Sequence, residues 1–489
     1  ATDLSAQSKE KGELFTIVNK TNFNLTGSLW LHNIASYASI KRDNGRDDDG
    51  SRLAIGDSNG KVDPGTWNQD SSLVTEELRL SGEWDDFLDW QIGGYLERYR
   101  TEGPQTYSQV LNMFVISHQL DANFQTDSDA YFGEATLDVG KLVPSLEGLN
   151  LTGGYRHTSD TNGALSFEIT AYLGPIAPGT SPSPPLPVQP GDFCAFGGQY
   201  PPCRIGASAP DNSGDSWIIG ADYKIGSNVL VYANLRRGYK SGGFNPTVAV
   251  AGGTPSTPGF QFQPEAVDVI ELGAKADWAI GGMNGRTNVA IFESKYDDMQ
   301  VSQNIIFGNA YTEVIQNAAK STIRGIEIEG ELQPIEPLLL MFGYSHLDAS
   351  YDKFDFVDPQ GNTIDLSSLP FLNTPPNMFN FVAQLGLPVP ESLGEVTLSA
   401  NYSWQDDVYA GNIDRTAPYS TIDSYGLLGA RIDWSDIMGV RNLDVAVFGT
   451  NLTDEDYQLG NTQAYNTAGF VSGFYGEPRM YGASLRYRF

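Results

Sequence analysis

A run of acidic residues is the part of the sequence best suited to bind a metal ion. Residues 43–50 read DNGRDDDG, and Asp57 and Asp63 follow. Carboxylate and carbonyl oxygens are the ligands that Ca²⁺ prefers, but the run lacks the spacing of an EF-hand loop and its terminal glutamate. Two interpretations stay open: a calcium ion between Asp43 and Asp49, or a solvated acidic loop.

Motifs of catalytic or cofactor chemistry were sought and not found. The sequence contains no G-x-S-x-G, no P-loop and no dinucleotide fingerprint. Its four histidines have no other histidine or cysteine at metal-ligand spacing: His32, His118, His157 and His346. We therefore predict no catalytic residue, no cofactor site and no enzymatic activity.

The two cysteines, Cys194 and Cys203, lie close together in a Pro/Gly-rich stretch. In an oxidising compartment they would close a small disulfide loop. Because the segment has the composition of an exposed loop, where free thiols are a liability, the sequence favours a disulfide over two free thiols.

Net charge excludes one large class of function. The 489 residues carry 60 acidic against 30 basic side chains, a net charge of -30. Nucleic-acid binding needs a basic face that displaces counterions from phosphate, so we expect no nucleic acid as a partner.

Alternation of apolar and polar residues defines the elements that must carry any site. Residues 396–404 place Val, Leu, Ala, Tyr and Trp on one parity and Thr, Ser, Asn and Ser on the other. Tyr481, Leu485 and Tyr487 share one face of the last strand, opposite Arg486 and Arg488. About 17 such runs follow one another, separated alternately by short turns and long polar loops. This predicts an all-β, transmembrane, antiparallel up-and-down β-barrel.

Aromatic residues support the membrane interpretation over a soluble sheet. Trp90, Trp278 and Trp434 lie near short turns, whereas Tyr155, Trp404 and Tyr409 lie toward long loops. Two such groups resemble the girdles of a barrel at its two interfaces. Since single-chain bacterial barrels normally have an even number of strands, a count of 17 further suggests that residues 1–489 are the C-terminal part of a larger barrel.

Two longer motifs and two short ones resemble a known family. RGYKSGGFN spans residues 237–245, NLTDEDY spans 451–457, EELRL spans 76–80, and the chain ends on Phe489. Together they resemble the β-barrel region of TonB-dependent outer-membrane receptors, especially those of sphingomonad- and caulobacter-like bacteria. The resemblance covers nearly the whole sequence.

The resemblance implies a 22-stranded barrel in the bacterial outer membrane, of which about the last 17 strands are present here. It implies uptake of a scarce nutrient, a siderophore, glycan or similar, driven by the TonB complex through an N-terminal plug domain that is not seen in residues 1–489. The alternative is a passive pore or a structural partner in a surface assembly, without energised transport. Expected partners are outer-membrane lipid and lipopolysaccharide, a small-molecule or glycan ligand, and a surface lipoprotein or other subunit.

Site residues follow from the loops and motifs. The expected ligand-facing loops are residues 43–70, 160–213, 246–263, 352–371 and 454–477, and the candidate contacts within them are Tyr465, Phe470, Phe474 and Tyr475. The small residues of the first long motif suit a bulge or a close backbone approach, and the second suits a turn with an aromatic anchor. We interpret these motif residues as structural rather than ligand contacts: Gly238, Tyr239, Gly242, Gly243, Phe244, Asn451, Asp454 and Tyr457. Phe489 resembles the C-terminal signal of barrel assembly.

Overall fold

A computed structural model describes most of the chain. The described residues are 9–47, 57–59, 69–102, 105–111, 116–162, 165–173, 203–207, 211–245, 259–307, 310–357, 362–410, 420–464 and 470–488.

The fold is dominated by one antiparallel sheet of 23 strands. Seventeen of these strands, numbered here in chain order, pair each with the next. They are β1 (Lys9–Thr26), β2 (Leu29–Asp47), β3 (Gln69–Trp84), β4 (Leu88–Thr101), β5 (Gln125–Asp138), β6 (Leu149–Asn162), β7 (Asp211–Ile225), β8 (Val229–Lys240), β9 (Glu265–Ile280), β10 (Met283–Phe307), β11 (Ala310–Ile335), β12 (Leu338–Val357), β13 (Asn377–Leu387), β14 (Glu395–Gln405), β15 (Tyr425–Ser435), β16 (Leu443–Thr450) and β17 (Met480–Tyr487).

The pairing is a simple meander. Each strand runs antiparallel to the one before it, from β1 and β2 at one side to β16 and β17 at the other. Within the described part of the chain, no pairing joins β1 to β17, so the sheet is not closed. The order and count of the strands match the up-and-down arrangement that the alternation predicts.

Short turns and long connections lie at opposite ends of the sheet, which we call the turn end and the loop end. The turn between β3 and β4 places Asp85 and Asp86 at φ of 49° and 56°, a conformation that short polar side chains tolerate. Gly226 supplies a positive φ between β7 and β8. The turn chemistry read from the sequence therefore fixes the hairpins at this end.

The long connections contain structure that the sequence did not indicate. In the described parts of these connections, twelve short strands lie between the strands of the meander: Asp57–Asn59, Gln105–Leu111, Ile116–Asn123, Leu165–Leu173, Cys203–Ala207, Gly243–Phe244, Gln261–Phe262, Thr363–Asp365, Val408–Tyr409, Thr421–Ile422, Gln458–Ala464 and Phe470–Tyr475. Polar composition had suggested irregular loops, but pairing with a neighbouring strand satisfies the backbone groups of these segments.

Helix is scarce. A single turn of α-helix spans Val139–Leu142, and 3-10 turns span Pro144–Leu146, Glu391–Leu393 and Ile437–Gly439 in the described chain. No helix among the described residues has the length and apolar character needed to cross a membrane.

A cluster of buried apolar residues lies at the loop end of the sheet. We call it the loop-end cluster, and it consists of Phe260, Val301, Val314, Ala319, Tyr351, Phe354, Phe356, Leu366, Leu369 and Phe371. Six of these ten residues lie at the loop-end parts of β10, β11 and β12, and the other four come from the connections on either side. The cluster holds the loop end together where no bilayer would support it.

Candidate ligand-binding site

The register of the sheet separates two faces along every strand of the meander. Leu80, Ile92, Gly133, Tyr155 and Trp217 are successive partners across β3 to β7 and share one face. Arg79, Gly93, Phe132, Arg156 and Ser216 are partners on the other face. Because paired residues point the same way, each face is continuous from strand to strand.

The first face, which we call the outer face, is apolar and exposed. Its exposed side chains include Leu78, Ile92, Leu151, Ile219, Leu235, Ile270 and Ile432. A continuous exposed face of this kind is far larger than the apolar patches that water-soluble monomers present. It suits contact with lipid tails, with the polar inner face turned away from them.

Aromatic residues border the outer face at both ends. At the turn end, Trp278 donates to the Oγ1 of Thr287 at 3.1 Å, and Trp434 donates to the carbonyl of Leu393 at 2.6 Å. At the loop end, the hydroxyl of Tyr155 donates to Asp215 at 2.7 Å. Rings with one apolar body and one polar tip suit the two interfaces of a bilayer. Tyr409 differs from the prediction, because it packs against the loop-end cluster and not in this girdle.

The motif RGYKSGGFN binds the chain's own loops. The ring of Tyr239 lies over Gly214, where an added Cβ would come within 1.9 Å of it. Gly242 and Gly243 face the Phe262 backbone and ring at similarly short range. Each glycine is thus required by a close approach, as the motif suggested.

The end of this motif reaches the loop-end cluster. The Phe244 ring stacks on Phe260 with centroids 6.2 Å apart. Asn245 is buried, and its amide nitrogen donates to the carbonyls of Gly259 and Ile315 at 2.6 and 2.8 Å. Phe244 and Asn245 thus attach the end of the motif to the loop-end cluster and to β11.

The second motif, NLTDEDY, forms a closed turn. The buried Asn451 accepts from the Glu455 amide at 2.9 Å and donates to the Glu477 carbonyl at 3.2 Å. Asp454 accepts from the Arg479 guanidinium at 3.0 Å. The Tyr457 ring lies 4.9 Å from that of Tyr425. The turn therefore joins the two ends of the last long connection to each other and brings Tyr457 against β15.

The four candidate aromatic contacts are placed unequally. Phe474 and Tyr475 are exposed, at 44% and 68%, on the hairpin of Gln458–Ala464 and Phe470–Tyr475. Phe470 begins the second strand of that hairpin, but its side chain lies outside the described residues, as do Tyr465 and Phe489. Two of the four candidates are thus shown to offer an aromatic surface at the loop end.

The loop of residues 352–371 is less open than the sequence suggested. Leu366, Leu369 and Phe371 are buried in the loop-end cluster. The Phe371 ring stacks on Tyr351 at 4.2 Å, and burial raises the pKa of Tyr351 to about 12. In the same loop, hydrogen bonds from Ser367 hold the pKa of Asp365 below its usual value. The composition of this segment predicts a surface loop, but the segment supplies three residues to a buried cluster. Its sequence alone does not indicate that these apolar side chains are buried.

The calcium and disulfide predictions fall largely outside the described residues. Asp43 is buried at the end of β2, which extends to Asp47, but the side chains of residues 44–49 are not described. The same holds for Cys194 and for the side chain of Cys203. Among the described residues, no group of three or more His, Cys, Asp or Glu side chains is arranged to hold a metal ion.

The inner face gathers residues that sequence reasoning did not single out. Tyr95, Phe132 and Arg156 come from three neighbouring strands and meet on this face near the loop end. A separate cavity of about 270 Å³ lies toward the turn end, where Trp30 meets Glu83, Asp89 and Glu134. The alternation along each strand predicts that such residues lie on the inner face. Which of them are in contact depends on the register between neighbouring strands, which the structure shows.

Comparisons with known proteins agree with this architecture. Residues 4–452 match the family described as TonB dependent receptor-like, beta-barrel. Three solved structures cover nearly all of this chain: the ferric yersiniabactin uptake receptor of Yersinia pestis, a siderophore receptor of Acinetobacter baumannii and a ferric-catecholate import receptor of Escherichia coli K12. The TM-scores are 0.69, 0.66 and 0.63, at 13%, 16% and 16% identity.

The coverage is unequal in the two directions. This chain is covered to 99%, 98% and 99%, but it spans only 63%, 65% and 65% of those three proteins. At such identities the likeness shows a shared fold, whereas the family match spans most of the sequence. The apolar outer face, the aromatic borders and the meander are those of an outer-membrane barrel of Gram-negative bacteria, and the chain belongs to the TonB-dependent receptor family as its β-barrel region.

Proposed function

We propose that this chain forms the barrel wall of a receptor that takes up a scarce nutrient chelate, first of all a ferric siderophore, with energy from the TonB complex. The family match over residues 4–452 is the observation that carries the proposal. The three structural neighbours are described as receptors for iron chelates, which favours such a chelate over a glycan as the first cargo to test.

The geometry is compatible with this role. The outer face suits lipid, and the inner face carries polar and charged side chains such as Glu77, Arg79 and Arg156 that suit a polar cargo. At the loop end, the exposed rings of Phe474 and Tyr475 offer stacking surfaces for an aromatic or sugar-like ligand. Energy coupling would require a plug domain.

Uptake of radioactive iron from a panel of ferric siderophores tests the proposal. The full-length receptor would be expressed in a host that lacks its own uptake of each chelate, with and without TonB. We expect uptake that needs both the receptor and TonB, and that falls when Tyr475 is replaced by alanine. Tyr131→Ala, on the outer face, is the matched control and should transport normally.

Three outcomes would count against the proposal. Uptake that persists without TonB would favour the passive pore. Uptake of labelled oligosaccharides in place of every ferric chelate would replace the substrate class. Binding of a surface lipoprotein without any transport would favour a structural role.

A further inference from the structure

An arginine on the inner face is held by two aromatic rings. The Cζ of Arg156 lies 5.2 Å from the ring centroid of Tyr95 and 5.9 Å from that of Phe132. Its Nε donates to the Oγ1 of Thr158 at 3.1 Å. Cation–π contacts and this hydrogen bond restrict the side chain to one orientation.

The ring of Phe132 is itself seated by a glycine. Gly93 is its partner across the sheet, and a Cβ at Gly93 would lie 2.6 Å from the Cζ of Phe132. The hydroxyl of Tyr95 donates to Glu97 at 2.7 Å, which fixes the second ring. The guanidinium is thus positioned in advance by residues of three strands, so little side-chain entropy is left to lose on binding.

Three carboxylates of the inner face already have a hydrogen-bond or ion-pair partner. Glu97 accepts from Tyr95, Glu134 accepts from Gln91 at 3.2 Å, and Glu77 pairs with Arg79 at 3.7 Å. Within the described part of the chain, Arg156 has the two ring contacts and the Thr158 hydrogen bond, and no carboxylate pairs with it. Its terminal Nη groups therefore keep their donors for another partner.

Arg156 lies on the inner face, at the level of the aromatic border at the loop end. It follows Tyr155, whose hydroxyl binds Asp215 in the aromatic border at the loop end. A guanidinium presents parallel N–H donors that match the two oxygens of a carboxylate, a phosphate or a catecholate. An oriented cation with unpaired donors is a selective contact for one anionic group.

We propose that Arg156, oriented by Tyr95 and Phe132, is a binding point in the lumen for an oxyanion of the transported ligand. The inference rests on the proposed function, which it deepens by giving the ligand an anionic group. The proposed contact concerns strands β4 to β6 only, and any ligand that carries an oxyanion could make it.

Chemical modification by phenylglyoxal, which attacks arginine, tests the site without transport. The full-length receptor in detergent would be treated with the reagent, and peptides would be quantified by mass spectrometry with citrate as the oxyanion probe. We expect Arg156 to react readily, and saturating citrate to slow its modification about tenfold relative to sodium chloride of equal ionic strength. Arg98, which pairs through two hydrogen bonds with Asp129 on the outer face, is the internal control and should show no such protection.

Two results would overturn the inference. An Arg156 that does not react would mean that another part of the receptor covers it, and a reaction that citrate leaves unchanged would mean that no oxyanion binds. Protection by citrate in a receptor that shows no TonB-dependent uptake would reject the proposed function and leave the anion site standing.

Paired ligands provide an independent readout. Arg156→Gln should weaken binding of an anionic ferric tricatecholate about tenfold or more, and leave an uncharged ferric trihydroxamate within about twofold. Arg156→Lys, which keeps the charge but not the planar fork, should be intermediate for the anion. Equal losses for both chelates, in variants that fold normally, would assign Arg156 a structural role only.

Discussion

The side chain of Asn245 is hydrogen-bonded in both directions to the backbone of Ile315, 70 residues away in the sequence. Its amide nitrogen donates to the Ile315 carbonyl at 2.8 Å, and its Oδ1 accepts from the Ile315 amide at 2.9 Å. An asparagine side chain thus takes the place of a neighbouring strand. It fastens the last residue of the RGYKSGGFN motif to β11.

Replacing Asn245 by alanine should therefore loosen the loop end. Two part-buried backbone groups of Ile315 would lose their partners, at a cost of about 2 kcal/mol. We expect hydrogen exchange at the Ile315 amide to accelerate about 30-fold, measured by mass spectrometry in detergent. Asn24→Ala, which removes a hydrogen bond to Gly27 at the exposed turn end, is the control and should leave Ile315 protected.

Alkaline pH should destabilise the loop-end cluster through Tyr351. Its pKa is raised by burial to about 12, against about 10 in the unfolded chain. A raised pKa in the folded state means that the stabilising contribution is complete below pH 10 and is lost as pH rises toward 12. That contribution is roughly 2 to 3 kcal/mol.

Tyrosinate absorbance and thermal unfolding between pH 9 and 12 would measure this effect. Tyr351→Phe keeps the stacking on Phe371 but cannot ionise, so its stability should fall less over the same range. Equal alkaline losses in the variant and the parent protein would assign the effect to other groups.

Two glycines in the last hairpin provide a matched test of packing. An added Cβ at Gly476 would lie 1.9 Å from the Cζ of the Tyr457 ring, whereas at Gly460 the nearest atom is 3.9 Å away. Gly476→Ala should displace Tyr457 and destabilise the protein by about 1 to 3 kcal/mol. Gly460→Ala should be tolerated, and heat-modifiability on gels would compare the two. If both variants behaved alike, the close packing of Tyr457 on Gly476 would be refuted.

The assignment of the two faces can be tested with neighbouring residues of β4. Ile92 is exposed on the outer face, and Gln91 points to the inner face, where it binds Glu134. Ile92→Arg should cost about 2 to 4 kcal/mol if it lies near the middle of the bilayer, whereas Gln91→Arg should cost much less. Folding into lipid vesicles in the presence of urea measures both, and a larger loss for Gln91→Arg would reverse the assignment.

Local sequence patterns were sufficient to predict many of the strands and turns. The alternation of residues 396–404 marks β14, and the Asp85–Asp86 pair marks a turn, because strand period and turn chemistry depend on adjacent residues. The positions of Trp278 and Trp434 near short turns likewise indicated an interface without any knowledge of contacts. Motif resemblance then supplied the family, which the comparisons confirmed.

Loops were predicted less well, for a physical reason. Residues 352–371 are polar enough to suggest a solvated loop, yet Leu366, Leu369 and Phe371 enter a core whose other members lie on distant strands. Whether a scattered apolar side chain is buried depends on what folds over it. The periodicity of the local sequence contains no information about such long-range packing.

The sequence by itself determined the alternating strands, their order, the apolar outer face and the family, because each of these depends on near neighbours or on contiguous motifs. Only the tertiary structure decided that Asn245 meets Ile315, and that Arg156 lies against Tyr95 and Phe132. Those contacts depend on the register between strands, which is set by the pairing of whole segments. A shift of one residue would turn the side chains to the other face and abolish both.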